Sequence, residues 1–374
     1  MAPRPYFNQA KEVVSFYESM RLEKIDETTY RSVTKAYSPT GGENGTYGGH
    51  VYSQAAWAAA QTVEEGFVIH SITGYFVLGG IPSEHYVYSV QIVRDGGNYC
   101  TRMVTATQIA EKGATFTCTC SFKRAEFSSV DYQSNLDLHG KYKAVLAGKQ
   151  PFDHPDAPSL DSDWFRETYI PAHPEHFNPL AGMHIRSVDM SSFNTRLAPH
   201  RRRKLILYSL RGSLPSPATP AADATPTKSR TPKYKGLSFT RAANLHALTH
   251  IYASDRNSLY VIPNHLDLSR KYTRMASLSH TVIFHSSPET FFMPNEPRTH
   301  APNAAQTQQN TIEGDEGLST GERKWFMQES WMERASGGRC LHVSRHYDPD
   351  TGCHLATTMQ DGLVRFSTDA EVKL

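Results

Sequence analysis

The stretch GTYGGHVYSQAAWAAAQTV, residues 45–63, decides how the rest of the chain is read. Beyond Gly48, Gly49 and His50 it is rich in alanine. Small side chains let a helix lie close against a sheet, so this helix is expected to be central and buried. The segments after it are β-type. FVIHSITGYFV (67–77) reads as a strand. YVYSVQIVRDGGNYCTRMVTATQ (86–108) reads as two strands joined at Asp95, Gly96 and Gly97, a hairpin signal. ATFTCTCSF (114–122) alternates cleanly: Phe116, Cys118, Cys120 and Phe122 on one face, Thr115, Thr117, Thr119 and Ser121 on the other. The two cysteines are therefore read as core hydrophobes.

The same order then recurs. A helix over 240–255 is followed by the β-run MASLSHTVIFH (275–285). A hairpin over 325–348 turns at Ser336, Gly337 and Gly338, and HLATTMQDGLVRF (354–366) is the last strand. A long helix and then an antiparallel meander, twice over, predicts an α+β protein of two similar modules. Each sheet would curve around its helix, and the two sheets would pair edge to edge, which hides exposed edges. The expected organisation is an N-terminal module over 1–140, a linker over 141–180 rich in Pro, His and Asp, and a C-terminal module over 181–374. Two polar insertions interrupt the last, at about 213–235 (five prolines among Ser, Thr and Ala) and 295–322.

Bulk properties exclude several classes. With 39 basic and 37 acidic residues the net charge is +2, so no nucleic-acid partner held by bulk electrostatics is expected. No apolar run approaches the length of a membrane span, and the N-terminus lacks the apolar core of a secretory signal. The five cysteines are scattered without a C-x-x-C pair, which suggests neither a zinc site nor a disulfide framework and fits a reducing compartment. No metal or cofactor is expected. The chain ends Val-Lys-Leu, a poor variant of the Ser-Lys-Leu peroxisomal address. HRRRK (200–204) is read as a solvated strand end, with coenzyme A phosphates or a nuclear import signal as the functional alternatives. His70, in an apolar strand, is read as a satisfied core histidine.

HIYASDRNSLYVIP (250–263) poses a harder question. Leu248, Ile251 and Tyr252 mark one helical face. Asp255 lies four residues after Ile251 and seven after Leu248. If the helix reaches it, its carboxylate falls on the buried face, which is costly unless the group is hydrogen-bonded or put to use. The plain alternative is a helix end that returns the charge to water.

These segments resemble, in order, the acyl-CoA thioesterase II family. GTYGGHVYSQAAWAA, IHSITGYFVLGG, VRDGGNYCTRMVTATQ and FTCTCSF are similar to its N-terminal half; IYASDRNSL, SLSHTVIFH, RASGGRCL and MQDGLVRF are similar to its C-terminal half. The resemblance implies a double hotdog fold, an acyl-CoA substrate, hydrolysis to free fatty acid and coenzyme A, a homodimer, and often a peroxisomal location. By motif position it implies a catalytic group of Asp255, Ser277 and Gln360 holding one water, with Ser277 where the family commonly has Thr. Gly49 and His50 are the expected substrate contacts. Two positions depart: His50 replaces a common Gln, and Ser279 replaces the Asp of an Asp-His pair. Ser279, two residues from Ser277, is expected on the same strand face. Chemically, a carboxylate on a buried helix face can take a proton from water, its pKa raised by partial burial, while an amide orients that water. Two other readings keep the fold: a degenerate member that binds acyl-CoA without turnover, and a hydratase or dehydratase, which would want an acid beside His50.

Overall fold

Twelve antiparallel strands form one sheet in the computed structural model, which describes residues 14–38, 45–110, 113–134, 137–174, 180–215, 237–293 and 323–368. The N-terminal half contains α1 (Phe16–Met20), β1 (Leu22–Lys24), β2 (Thr29–Ser32), α2 (Gly48–Ala60), β3 (Phe67–Phe76), β4 (Val87–Asp95), β5 (Tyr99–Thr107) and β6 (Ala114–Arg124). Short helices α3 (Leu138–Lys141), α4 (Lys143–Leu146) and α5 (Ile170–Ala172) come next. The C-terminal half contains β7 (Met183–Ser187), α6 (Ser191–Asn194), β8 (Lys204–Leu210), α7 (Phe239–Ser254), α8 (Val261–His265), β9 (Tyr272–Phe284), β10 (Phe326–Ser336), β11 (Arg339–Tyr347) and β12 (His354–Phe366). The inserted stretches 216–236 and 294–322 lie outside the described residues, as does the Val-Lys-Leu end.

The strand order is β1-β2-β4-β5-β6-β3-β9-β12-β11-β10-β8-β7. It reads the same from either end once the two halves are superposed: β3 answers to β9, β6 to β12, and β5 to β11. The halves meet where β3 pairs with β9, with Thr73 opposite Thr281 and their hydroxyl oxygens 3.1 Å apart. Each half thus covers the other's most central edge strand, the edge that would otherwise stand open.

The two long helices lie against each other in the hollow of this sheet. Ser53 of α2 donates to the carbonyl of Leu248 in α7, and Arg241 at the start of α7 donates to the last carbonyls of α2. In α2 the alanines from Ala55 to Ala60 are all buried, which is why small residues occupy that run. In α7 every residue from Ala242 to Ser254 is buried, including Asn244, His246, Thr249 and His250. The single apolar face expected for this helix is therefore only part of its surface. With a sheet around it and α2 alongside, no side is left to water, so its polar side chains find internal partners. Asn244 accepts from Ile69 N–H and donates to Phe67 O. Tyr208 bridges His250 and His346.

Phe116, Cys118, Cys120 and Phe122 face this core, as the alternation predicts, and burial pushes the Cys118 thiol up. His70 is half-buried and satisfied by Ser121 at 2.8 Å. The segment read as a linker is helical in short pieces and docks on the C-terminal half: Lys141 and Tyr142 both reach the buried Glu329, and Asp156 pairs with Arg186. That docking also changes the reading of the basic run. Lys204 is buried in an ion pair with Asp161, Arg202 pairs with Asp267 and Arg203 with Glu329, so these three are structural ion pairs and not a solvated strand end. No helix among the described residues is long and apolar enough to cross a membrane.

Burial pushes the imidazoles of His50 and His250 down to about 4. A histidine whose folded value lies below its unfolded value of about 6.5 gives full stability above that pH and loses it as pH falls toward the folded value, at about 1.4 kcal/mol per unit. The melting temperature is accordingly expected to drop by several degrees from about pH 7.5 to about pH 5, and His50→Gln should remove part of that drop. A melting temperature that stays level across this window in calorimetry contradicts the assignment.

Candidate active site

Asp255 answers the question its sequence raised. It is the C-cap of α7, still in helical conformation (φ −83°, ψ −10°), and its side chain is only 8% exposed. Two residues on, Asn257 adopts a left-handed φ of 57° and turns the chain toward α8. The helix therefore runs far enough to carry the carboxylate inward, against the start of α2.

Both carboxylate oxygens have donors. The Gly49 N–H donates to Oδ2 at 2.8 Å, and Gln360 Nε2 donates to Oδ1 at 2.7 Å. Gly49 lies in the first turn of α2, where N–H groups have no partner within the helix and the dipole favours an anion. The glycines are there for space. A Cβ on Gly48 would lie 2.9 Å from Asp255 Oδ2, and one on Gly49 would lie 2.8 Å from Tyr252 O. Tyr47 donates to that same Tyr252 carbonyl and holds the end of α7 on the start of α2. The backbone at this glycine pair makes its close approach to Asp255, and no substrate contact of Gly49 or His50 follows from it.

Gln360 also joins Ser277. Its Nε2 donates to Ser277 Oγ at 2.7 Å, so one amide nitrogen bridges carboxylate and hydroxyl. Gln360 is fully buried, and its Oε1 has no protein hydrogen-bond partner among the described residues. The side chains of Asp255, Ser277 and Gln360, named from sequence, meet at this one point.

How Ser277 reaches this group was not legible. Along β9 and β12, Gln360 faces His280, Asp361 faces Ser279, but Gly362 faces Ser277. The register slips by one at Leu278, a β-bulge, and a bulge re-aims the side chains on one side of it. Ser277 and His280 consequently share the inner face with Gln360, while Ser279 shares the outer face with Asp361. The expectation that Ser279 lies on the face of Ser277 is therefore wrong, because strict alternation fails at Leu278. The departure at Ser279 removes nothing from the inner group. His50 is buried on α2 and makes no hydrogen bond to Asp255, Ser277 or Gln360. His280, which sequence reading passed over, stands beside the carboxylate, its Nδ1 3.8 Å from Asp255 Oδ1.

The N-terminal half has the same bulge, where β3 slips against β6 at His70. Its inner positions are apolar. Ile69 answers to Ser277, Ile72 to His280, and Cys120, opposite Ile72, to Gln360. The polar group is built on one half only, with the other contributing its helix N-terminus.

Two helices, each wrapped by its own half of a continuous antiparallel sheet, define a double hotdog protein with one polar group at the helix junction. Residues 35–123 match the model of the acyl-CoA thioesterase N-terminal domain. Over 117 residues the chain is 33% identical to mouse acyl-coenzyme A thioesterase 8, a match spanning 31% of this chain and 35% of that protein. It is 27% identical to the peroxisomal acyl-coenzyme A thioester hydrolase 1 of Saccharomyces cerevisiae, over 94% of this chain and 96% of that one. Among solved structures, the acyl-CoA thioesterase II TesB2 of Mycobacterium marinum superposes with a TM-score of 0.58 at 21% identity, covering 95% of this chain and all (100%) of that one. A hot dog fold protein of unknown function from Alicyclobacillus acidocaldarius gives 0.57 at 16% identity, covering 94% and 98%. Nearly the whole chain is thus similar to a peroxisomal acyl-coenzyme A thioester hydrolase, and residues 35–123 to the acyl-CoA thioesterase N-terminal domain.

A buried carboxylate that loses a donor costs about 1–3 kcal/mol or more. Gln360→Ala is expected to destabilise the protein by about that amount, and Asp255→Ala/Gln360→Ala by clearly less than the sum of the single changes. Urea unfolding of the four proteins checks this; additive values would show that the two side chains are not coupled.

Proposed function

We propose that this protein is an acyl-CoA thioesterase, hydrolysing acyl-CoA to free fatty acid and coenzyme A with a water held by Asp255, Ser277 and Gln360. The observation that carries the reading is the Gln360 Nε2 bridge between Asp255 and Ser277. It gathers three polar side chains, Gln360 buried and the other two at the edge of the core, at one point, each able to bind water. Gln360 Oε1 is a spare acceptor there. A water seated in this group has acceptors for its hydrogens and a lone pair left for the thioester carbon.

In this mechanism the water oxygen bonds to the carbonyl carbon while one of its protons passes to Asp255. Ser277 and Gln360 hold the oxygen in line. Collapse of the tetrahedral adduct breaks the C–S bond, the electron pair leaves on sulfur, and the proton returns to the thiolate. The Gly49 N–H is committed to Asp255, so it serves the base and not the oxyanion.

The peroxisomal designation of the yeast relative supports a peroxisomal location, which a tagged protein would show by coinciding with a peroxisomal marker; a diffuse cytosolic signal would contradict it. The expected assembly is a homodimer, which light scattering would show as twice the chain mass of 41.9 kDa.

The activity is tested by thiol release from acyl-CoAs of several chain lengths. Wild type is expected to turn over at least one of them. Asp255→Asn should lower kcat by about 100-fold or more while coenzyme A binding persists. Gly48→Ala, whose methyl would crowd the carboxylate, should lower it by about tenfold or more. Binding without thiol release in the wild type would overturn the hydrolytic reading.

A further inference from the structure

Asp255 has one neighbour that hydrolysis as described leaves unused. His280 is fully buried on β9, its ring stacked on Tyr52 with centroids 5.1 Å apart and planes at 21°. Its two nitrogens stand in different surroundings. Nε2 lies 3.3 Å from Ser254 Oγ. Nδ1 lies 3.8 Å from Asp255 Oδ1 and has no hydrogen-bond partner among the described residues.

The tautomer comes from counting hydrogens. Ser254 has one hydroxyl hydrogen, and its Oγ stands 2.8 Å from the carbonyl of Ile251, which can only accept. With that hydrogen committed, Ser254 Oγ can only accept from His280. Nε2 therefore carries the hydrogen of the neutral ring, and Nδ1 presents a bare lone pair to Asp255. Two acceptors facing each other cannot close to hydrogen-bond distance, which accounts for a separation well beyond the usual value near ~2.8 Å. A proton placed on Asp255 turns the same pair into donor and acceptor.

We propose that His280 Nδ1 is the second station for the proton that Asp255 removes from the water. The inference rests on the hydrolytic reading above. As the water oxygen bonds to the thioester carbon, its proton goes to Asp255, and the new O–H on Oδ1 passes it to Nδ1. A carboxylate and an imidazolium stand side by side while the adduct exists. When the C–S bond breaks, its electron pair stays on sulfur; the proton returns through Asp255 to the thiolate, and both groups regain their starting states. Nothing is oxidised or reduced, and no co-reactant is required. His280 acts through Asp255 and does not touch substrate, which makes it a positioning residue. The bulge at Leu278 sets the β9 side of this arrangement: it puts Ser277 and His280, three residues apart, on one face.

Two measurements on the full chain test this. Nitrogen-15 NMR of histidine-labelled wild type, with the His280 signals assigned by their loss in His280→Gln and their shift in Ser254→Ala, is expected to show the Nε2–H tautomer; an Nδ1–H tautomer overturns the proposal. In steady-state thiol release, His280→Gln keeps a donor toward Ser254 but has no acceptor at the δ position. Its kcat is expected to fall about tenfold or more with KM within about twofold. His280→Asn, which offers an acceptor at that position, should recover part of the loss. A kcat for His280→Gln within about twofold of wild type overturns the proposal while leaving the hydrolytic reading in place. A wild type that binds acyl-CoA and releases no thiol instead removes the hydrolytic reading itself. If His280→Gln does not fold, the tautomer in wild type, assigned through Ser254→Ala, decides alone.

Discussion

A carboxylate almost out of reach of water must be met by donors, and in this protein the two halves of the chain supply them together. Asp255 takes one from the N-terminal half, the Gly49 N–H at the start of α2, and one from the C-terminal half, the Gln360 amide on β12. Losing either leaves a buried charge underpaired, at a cost of several kcal/mol where the group stays ionised. The requirement fixes how closely the end of α7 meets the start of α2, why two glycines open α2, and why Tyr47 reaches across to Tyr252. A packing constraint and a chemical site are here one arrangement of atoms.

The near-symmetry of the fold shows how such a site arises from a repeat. Both halves have a helix, a curved meander and a bulge at the same place, His70 in one and Leu278 in the other. In the N-terminal half the inner positions around the bulge are Ile69, Ile72 and Cys120, and they pack as core. In the C-terminal half they are Ser277, His280 and Gln360. The same backbone that stabilises one half places polar side chains in the other, because a bulge aims two residues inward that alternation would separate.

Much of this was legible in the sequence. The alternation of Phe116 to Phe122 placed β6 and its faces; the Gly-Gly turns placed both hairpins; the alanines of α2 announced a buried helix. Asp255, Ser277 and Gln360 were a different matter. Spacing along α7 raised the question of Asp255, but only the resemblance to a family named its two partners. The bulge at Leu278 has no signature in composition or period, so plain alternation puts Ser279 on the wrong face and leaves His280 unmarked. Likewise HRRRK reads as a solvated run until the segment over 138–172 is seen to lie across it and bring Asp161 to Lys204. Long-range packing decides such features, and a single sequence reports local preference.

The account holds that water attacks the thioester directly while Asp255 only handles a proton. Single-turnover hydrolysis of an acyl-CoA in water enriched in oxygen-18, with mass spectrometry of the released fatty acid and of the peptide containing Asp255, tests that most directly. The account predicts one heavy oxygen in the acid and none in the Asp255 carboxylate. Heavy oxygen in that carboxylate would mean that Asp255 itself had bonded to the acyl group, and would contradict it.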